Sequence, residues 1–247
     1  MTDALGWRAK FAVLIPSTNT SVQPEFDGMR PVGVTNHICR IRIPNMKLES
    51  DEDFAKLVEH IAAGQIEAVD SAMTCEPDRI VLGISVETFW GGYELSRQLK
   101  ADLERHTGLA VSMGAEASEQ ALKRLGAKRI GVVTPYWPIG DRNVAQFFTE
   151  AGFEVERMVG LRCTSPVAIA HVGEAALRDA IGAADGPEID AVIQVGTNLA
   201  MARIAAEAER RLAKPVVAIN TAIYWHALRA SGIDDKVAGW GQLLEDY

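Results

Sequence analysis

The sequence predicts an α/β protein of two pseudo-symmetric lobes, each a parallel four-stranded sheet flanked by helices, with the functional site between them. Three observations lead there. Short β-rich runs alternate with amphipathic helical stretches along the chain, and that alternation builds parallel sheets covered on both faces. The second half then repeats the plan of the first. Finally, equivalent residues punctuate the halves: Pro16 and Pro135 each end a first strand, and Gly83 and Gly196 each end a third, at nearly the same offset. The lobes are expected to comprise residues 1–116 with 225–247, and residues 117–224.

The first strand runs from Phe11 to Ile15 and stops at Pro16, which offers no N–H to a ladder. Thr35 to Ile43 alternates apolar and polar residues and reads as a half-covered strand. Ser50 is an expected N-cap, with Glu52 and Asp53 at the positive end of the helix dipole. Phe54, Leu57, Val58 and Ile61 follow at helical spacing. Arg79 to Leu82 is the third strand and ends in Gly83. A helix from Tyr93 to His106 is closed by Gly108, Leu109 to Met113 forms a fourth strand, and a helix from Ser118 to Leu125 ends at Gly126.

In the second half, Ile130 to Thr134 is a strand stopped by Pro135. A helix ending at Gly152 precedes a strand from Phe153 to Val159, and another helix starts near Glu174. Ala191 to Val195 is a strand ending in Gly196, and Ala200 to Leu212 is helical. Val216 to Ile219 is the last strand, and Ala222 to Ala230 is a final helix before Gly232.

Composition narrows the function classes. A net charge of -8 argues against a nucleic-acid groove, which needs clustered Lys and Arg, and against adhesion to anionic membranes. Three cysteines without paired spacing, Cys39, Cys75 and Cys163, suggest reduced thiols. The N-terminus has no long apolar core or small-residue cleavage site, and no apolar run reaches membrane-spanning length, so a cytoplasmic protein is expected. His37, His60, His106 and His171 lack metal-ligand spacing, and no phosphate or dinucleotide loop is present, so no metal and no cofactor is expected.

Ligands of parallel α/β sheets collect beyond the carboxyl ends of strands. Four such ends are rich in small polar groups: Pro16-Ser17-Thr18-Asn19-Thr20-Ser21, Gly83-Ile84-Ser85-Val86-Glu87-Thr88, Thr134-Pro135-Tyr136-Trp137 and Gly196-Thr197-Asn198. Hydroxyls, amides and backbone N–H groups bind a carboxylate without a neutralising Arg and stabilise an enediolate as it forms. Single loops of this kind often only cap helices. Four in equivalent places predict one shared site that includes Ser17, Thr18, Gly83, Ile84 and Gly196, with Trp90 as an apolar wall.

PSTNTSVQPE after strand one, TPY after strand five and VGTNL after strand seven, with the ending YWHALR, resemble the maleate cis-trans isomerases and arylmalonate decarboxylases of the aspartate/glutamate racemase superfamily. The resemblance spans nearly the whole chain. It implies two pseudo-symmetric lobes, no metal, no organic cofactor, and a homo-dimer or tetramer. It implies that Asn19 contacts a substrate carboxylate, and that Ser85, Tyr136, Thr197 and Asn198 complete the cradle. It also implies a catalytic cysteine after the third strand of one or both lobes, where this chain has Gly83 and Gly196. The family's asparagine near the second-lobe loop is replaced by Pro166.

Without those thiols, other groups must move the proton. Glu87 lies two residues past Ser85, beside Phe89 and Trp90, and an apolar surround suits it to general acid or base work. The plain alternative is a helix N-terminal Glu interacting with the local dipole. Tyr136 and Ser85 are the other candidates. Cys163, before Thr164-Ser165, is the one thiol in a loop that approaches the cleft; Glu25 and His226 read as structural.

The leading expectation is a cofactor-free enzyme of lyase or isomerase type acting on a small carboxylate, with Glu87, Tyr136 and Ser85 as catalytic residues. One rival is a hydrolase or hydratase with a Glu87-activated water in room left by the glycines. The other is a carboxylate-binding protein that kept the cleft and lost the chemistry.

Overall fold

The computed structural model describes residues 3–247. Its first sheet contains β1 (Ala9–Pro16), β2 (Val34–Ile41), β3 (Arg79–Leu82) and β4 (Val111–Ser112), all parallel, in the order β2-β1-β3-β4. The second contains β5 (Arg129–Thr134), β6 (Glu154–Gly160), β7 (Ala191–Gln194) and β8 (Val216–Ala218), again parallel, in the equivalent order β6-β5-β7-β8. The repeated strand order turns the expected internal repeat into matching topology.

The burial follows from that order. β1 and β3 are central, and Phe11 to Ile15 and Ile80 to Leu82 are fully buried, as continuous apolar runs covered on both faces require. β2 is an edge strand and is half-buried from Thr35 to Cys39, as a half-covered strand should be.

The helices are α1 (Val22–Met29), α2 (Asp51–Met73), α3 (Val86–Phe89), α4 (Gly92–Thr107), α5 (Gly114–Arg124), α6 (Pro138–Glu150), α7 (Glu174–Ala184), α8 (Ala202–Leu212), α9 (Ile219–Arg229) and α10 (Gln242–Glu245). A 3-10 turn covers Ala168–His171. Helix α9 begins at Ile219, which was expected in the last strand, rather than near Ala222, and α10 follows it. Two further expectations need correction. The fourth strand is only Val111–Ser112, because Met113 already serves as the N-cap of α5. That helix starts at Gly114 rather than near Ser118: Ala115, Glu116 and Ala117 favour helix, and Ser118 is buried inside it rather than capping it.

Two features join the lobes near the site. Helix α9 leaves β8 without a loop and packs back against α1, α5 and β3, with every residue from Ile219 to Leu228 buried. On the other side, Asp51 at the start of α2 accepts the Ile139 N–H of α6 at 2.9 Å and pairs with Arg142 at 2.8 Å. Leu48 N–H also donates to Thr164 O at 2.8 Å. No helix among the described residues is long and apolar enough to cross a membrane.

Ser50 is the N-cap of α2, as expected, with its hydroxyl accepting Asp53 N–H at 3.2 Å. Ser50→Ala leaves that donor without its partner and is expected to cost about 1 kcal/mol in urea unfolding. A variant as stable as the parent would contradict this role.

Candidate active site

In each sheet the chain leaves the central pair of strands in opposite directions, so each has a switch point: β1/β3 in one and β5/β7 in the other. Crevices open at the carboxyl ends of such strands. The four loops that follow β1, β3, β5 and β7 meet across one cleft. Its polar side is formed by Thr18, Asn19, Ser85, Tyr136, Thr197 and Asn198. Its apolar side is Ile43, Phe54, Leu57, Ile61, Val86 and Ile169, with Pro16, Pro135, Pro166, Ile84 and Gly196 completing the lining. Among the described residues, no charged side chain lines it.

Ser85 holds the polar side together. Its Oγ lies 2.5 Å from Tyr136 Oη and accepts the Thr197 N–H at 3.2 Å, so three strand ends from two lobes meet at one oxygen. A serine oxygen has two lone pairs and one proton. When Thr197 N–H and Tyr136 O–H fill the lone pairs, the Ser85 proton is free to donate into the cleft. Burial pushes the Tyr136 phenol well above its usual range, so it stays protonated at neutral pH.

Asn19 is oriented by the backbone around it. Its Oδ1 accepts the N–H groups of Ser21 and Val22, both at 3.0 Å, which leaves Nδ2 for the cleft side, 3.3 Å from Thr197 Oγ1. The Thr197 hydroxyl in turn donates to Gly83 O at 3.0 Å. Asn198 lines the cleft but is occupied in tying the lobes: Oδ1 accepts Thr20 N–H at 2.9 Å, and Nδ2 donates to Thr18 O at 3.3 Å and Pro166 O at 3.0 Å.

Four expected site residues lie off the lining. The Ser17 hydroxyl is exchanged with the Ile43 backbone, 3.1 Å from its N and 3.3 Å from its O. Trp90 backs Phe54, ring centroids 6.4 Å apart, rather than facing the cleft. Gly83 contributes its carbonyl to Thr197 and nothing to the wall. Glu87 packs toward Gln65 on α2, on the same helix face as Ile61 but one turn further along. The hydrolase reading placed Glu87 against a cleft water, and that placement is absent.

Nor do the glycines leave room. A Cβ on Gly83 would lie 2.6 Å from Ile15 Cγ2 and 2.9 Å from Val22 Cγ1. Gly196 has φ of +120°, in the region that favours glycine, and a Cβ there would meet Pro135 Cδ at 2.4 Å. A side chain at either position would meet Ile15 and Val22 or Pro135.

The remaining thiols sit elsewhere. Cys163 is buried outside the lining, and burial raises its pKa to about 11, away from the reactive thiolate. Cys39 is in β2, and Cys75 Sγ donates to Ala72 O at 3.2 Å. His226 bonds Ser112 Oγ through Nδ1 at 2.9 Å, and burial lowers its pKa to about 4, so it is a neutral packing group. Among the described residues, no cluster of three or more His, Cys, Asp or Glu is placed to hold a metal ion.

Sequence reasoning missed the apolar side. Phe54, Leu57 and Ile61 carried a visible helical stripe, but a stripe does not distinguish a core from a cleft wall.

Fold and motifs converge on one family. Residues 15–244 match the arylmalonate decarboxylase family, and the chain belongs to it. It is 27% identical to the maleate isomerase of Pseudomonas putida, over 94% of this chain and 95% of that one. It is 28% identical to the arylmalonate decarboxylase of Bordetella bronchiseptica, over 67% and 70%. Its fold matches the Nocardia farcinica maleate cis-trans isomerase bound to TRIS with a TM-score of 0.86 at 21% identity, covering 96% of this chain and 98% of that one.

Glu87 carries a pH prediction. It is buried, its Oε2 has no hydrogen-bond partner, and burial raises its pKa from 4.5 to about 8, with Gln65 only partly offsetting this. The folded chain therefore keeps a proton that the unfolded chain releases between those values. The stability it contributes is complete below pH 4.5 and lost as pH rises through about 8, by up to about 1.4 kcal/mol per pH unit. Glu87→Gln cannot ionise. Thermal melts are expected to show it more stable than the parent at pH 9, with the gap closing below pH 5; lower stability at pH 9 would refute this.

Proposed function

We propose that this protein is a cofactor-independent enzyme that binds a small carboxylate in the cleft and cleaves carbon dioxide from a malonate-type acid, with Tyr136 and Ser85 moving the proton. The observation that carries this reading is a cleft lined by neutral hydrogen-bonding groups and apolar side chains together, with Ser85 Oγ and Tyr136 Oη 2.5 Å apart within it.

One carboxylate of the substrate accepts from the Ser85 hydroxyl and Asn19 Nδ2 and, once the Ser85–Tyr136 hydrogen bond gives way to it, from the Tyr136 hydroxyl. The other lies against Phe54, Leu57 and Ile61, where losing its hydration favours its departure as neutral carbon dioxide. The electrons of the broken C–C bond pass into the retained carboxylate as an enediolate. Oriented dipoles stabilise that developing charge without reorganising. The Tyr136 hydroxyl then delivers its proton to the α-carbon, directly or through Ser85, and the phenolate recovers a proton from water.

The family relationship supports a decarboxylating or isomerising chemistry, since the relatives include arylmalonate decarboxylase and maleate isomerase. Decarboxylation is favoured over addition–elimination on a double bond because no thiol lines the cleft to add. The tight packing at Gly83 and Gly196 supports the same choice.

The test is incubation with aryl- and alkylmalonates and with maleate in D2O, followed by mass spectrometry. A monoacid carrying one deuterium on its α-carbon is expected. Tyr136→Phe is expected to lower kcat by about a hundredfold or more, with KM changed only a few-fold. Fumarate formed from maleate would replace decarboxylation by isomerisation. Tight binding without conversion of any compound would leave a binding protein. A Tyr136→Phe variant with parental kcat would remove the phenol from the mechanism.

A further inference from the structure

A second network reaches the site from behind through Glu25, which the sequence analysis read as structural. Glu25, on α1, turns its carboxylate toward the second lobe. Its Oε1 accepts Ala202 N–H at the start of α8 at 2.9 Å, and its Oε2 accepts Asn220 Nδ2 of α9 at 2.6 Å. The same Nδ2 also donates to the Thr197 carbonyl at 3.0 Å. Thr197 is the residue whose N–H meets Ser85 and whose hydroxyl joins Asn19 to Gly83.

Asn220 is buried, and its Oδ1 has no partner. Nothing on the acceptor side therefore fixes the amide. Its orientation depends on the two acceptors that share Nδ2, Glu25 and Thr197 O. An ionised Glu25 holds both amide protons where they are. A protonated Glu25 has a proton of its own to place, and the unpartnered Oδ1 is the acceptor within the same pair. Satisfying it rotates the amide and withdraws Nδ2 from Thr197 O.

We infer that Glu25 and Asn220 are positioning residues that set the Thr197 main chain against Ser85, and that Thr197 switches between two arrangements as Glu25 gains or loses a proton. The inference deepens the proposed carboxylate-binding reading, because Thr197 lies at its centre. Burial raises the Glu25 pKa to about 7, so both arrangements are populated near neutral pH. Arg203 of α8 is the charged group that opposes this rise, along with the hydrogen bonds from Asn220, Ala202 and Met201.

The experiment is NMR of the full-length protein between pH 5 and 9, following the Thr197 carbonyl carbon and the Asn198 amide nitrogen of the same peptide. The parent is expected to show a titration with a midpoint of about 7 at both atoms. Glu25→Gln is expected to abolish it, and Glu25→Asp, which restores an ionisable carboxyl, to bring a titration back. In Asn220→Ala, the Glu25 carboxyl carbon should still titrate while Thr197 no longer responds. A Thr197 titration unchanged in Glu25→Gln, or retained in Asn220→Ala, would overturn the inference. Adding phenylacetate at fixed pH separates the two claims: a carboxylate that leaves Ser85 and Thr197 unperturbed while the Glu25 relay persists counts against the binding reading alone.

Discussion

The oxygen of Ser85 is the constraint on which the rest of the site depends. It takes a phenol from one lobe's sheet and a backbone N–H from the same lobe's next strand end, while belonging to the other lobe itself. Buried hydroxyls and N–H groups are costly unless they find partners, and here they find one another across the lobe boundary. That satisfies the interface and also collects donors at one point. The two strand orders, each with its switch point facing the other, are what bring these loops together. Helix α9, buried along nearly its whole length, fixes the approach of the two sheets.

Charge is managed by exclusion. The cleft is lined only by neutral groups, and the acids nearby are kept behind the walls. Glu87 lies beside α2, Glu25 beneath Thr197, and Asp141 accepts from Thr134 Oγ1, which itself accepts the Tyr136 N–H at 3.1 Å. Burial lifts all three above the ordinary carboxylate range, to about 8, about 7 and about 6. On the proposed reading, an incoming carboxylate meets oriented dipoles rather than a counter-ion. Such a site holds an anion firmly only as its charge moves onto the atoms the donors face, which is the property an enediolate-forming reaction uses.

Much of this was legible in the sequence. The strand–helix alternation and the matching Pro16/Pro135 and Gly83/Gly196 stops predicted both sheets, because local periodicity and turn chemistry are written residue by residue. The four polar strand ends predicted Asn19, Ser85, Tyr136 and Thr197 as neighbours, because the parallel topology leaves such ends nowhere else to go. Side-chain direction was not legible. Glu87 has the apolar surroundings and raised pKa expected of it, yet it faces Gln65 rather than the cleft. Whether a glycine leaves a hole depends on what fills it, and Ile15, Val22 and Pro135 are distant in sequence. Asn220 gave no signal at all, since one amide in an apolar helix is read only once its acceptors are known.

The most direct measurement is a crystal structure with phenylacetate, the decarboxylation product of phenylmalonate, soaked into the cleft. The account requires its carboxylate oxygens within about 3 Å of Ser85 Oγ, Tyr136 Oη and Asn19 Nδ2, with the ring against Phe54 and Leu57. A ligand held instead by a charged side chain, or one that leaves the Ser85 and Tyr136 hydroxyls without a carboxylate contact, would contradict it.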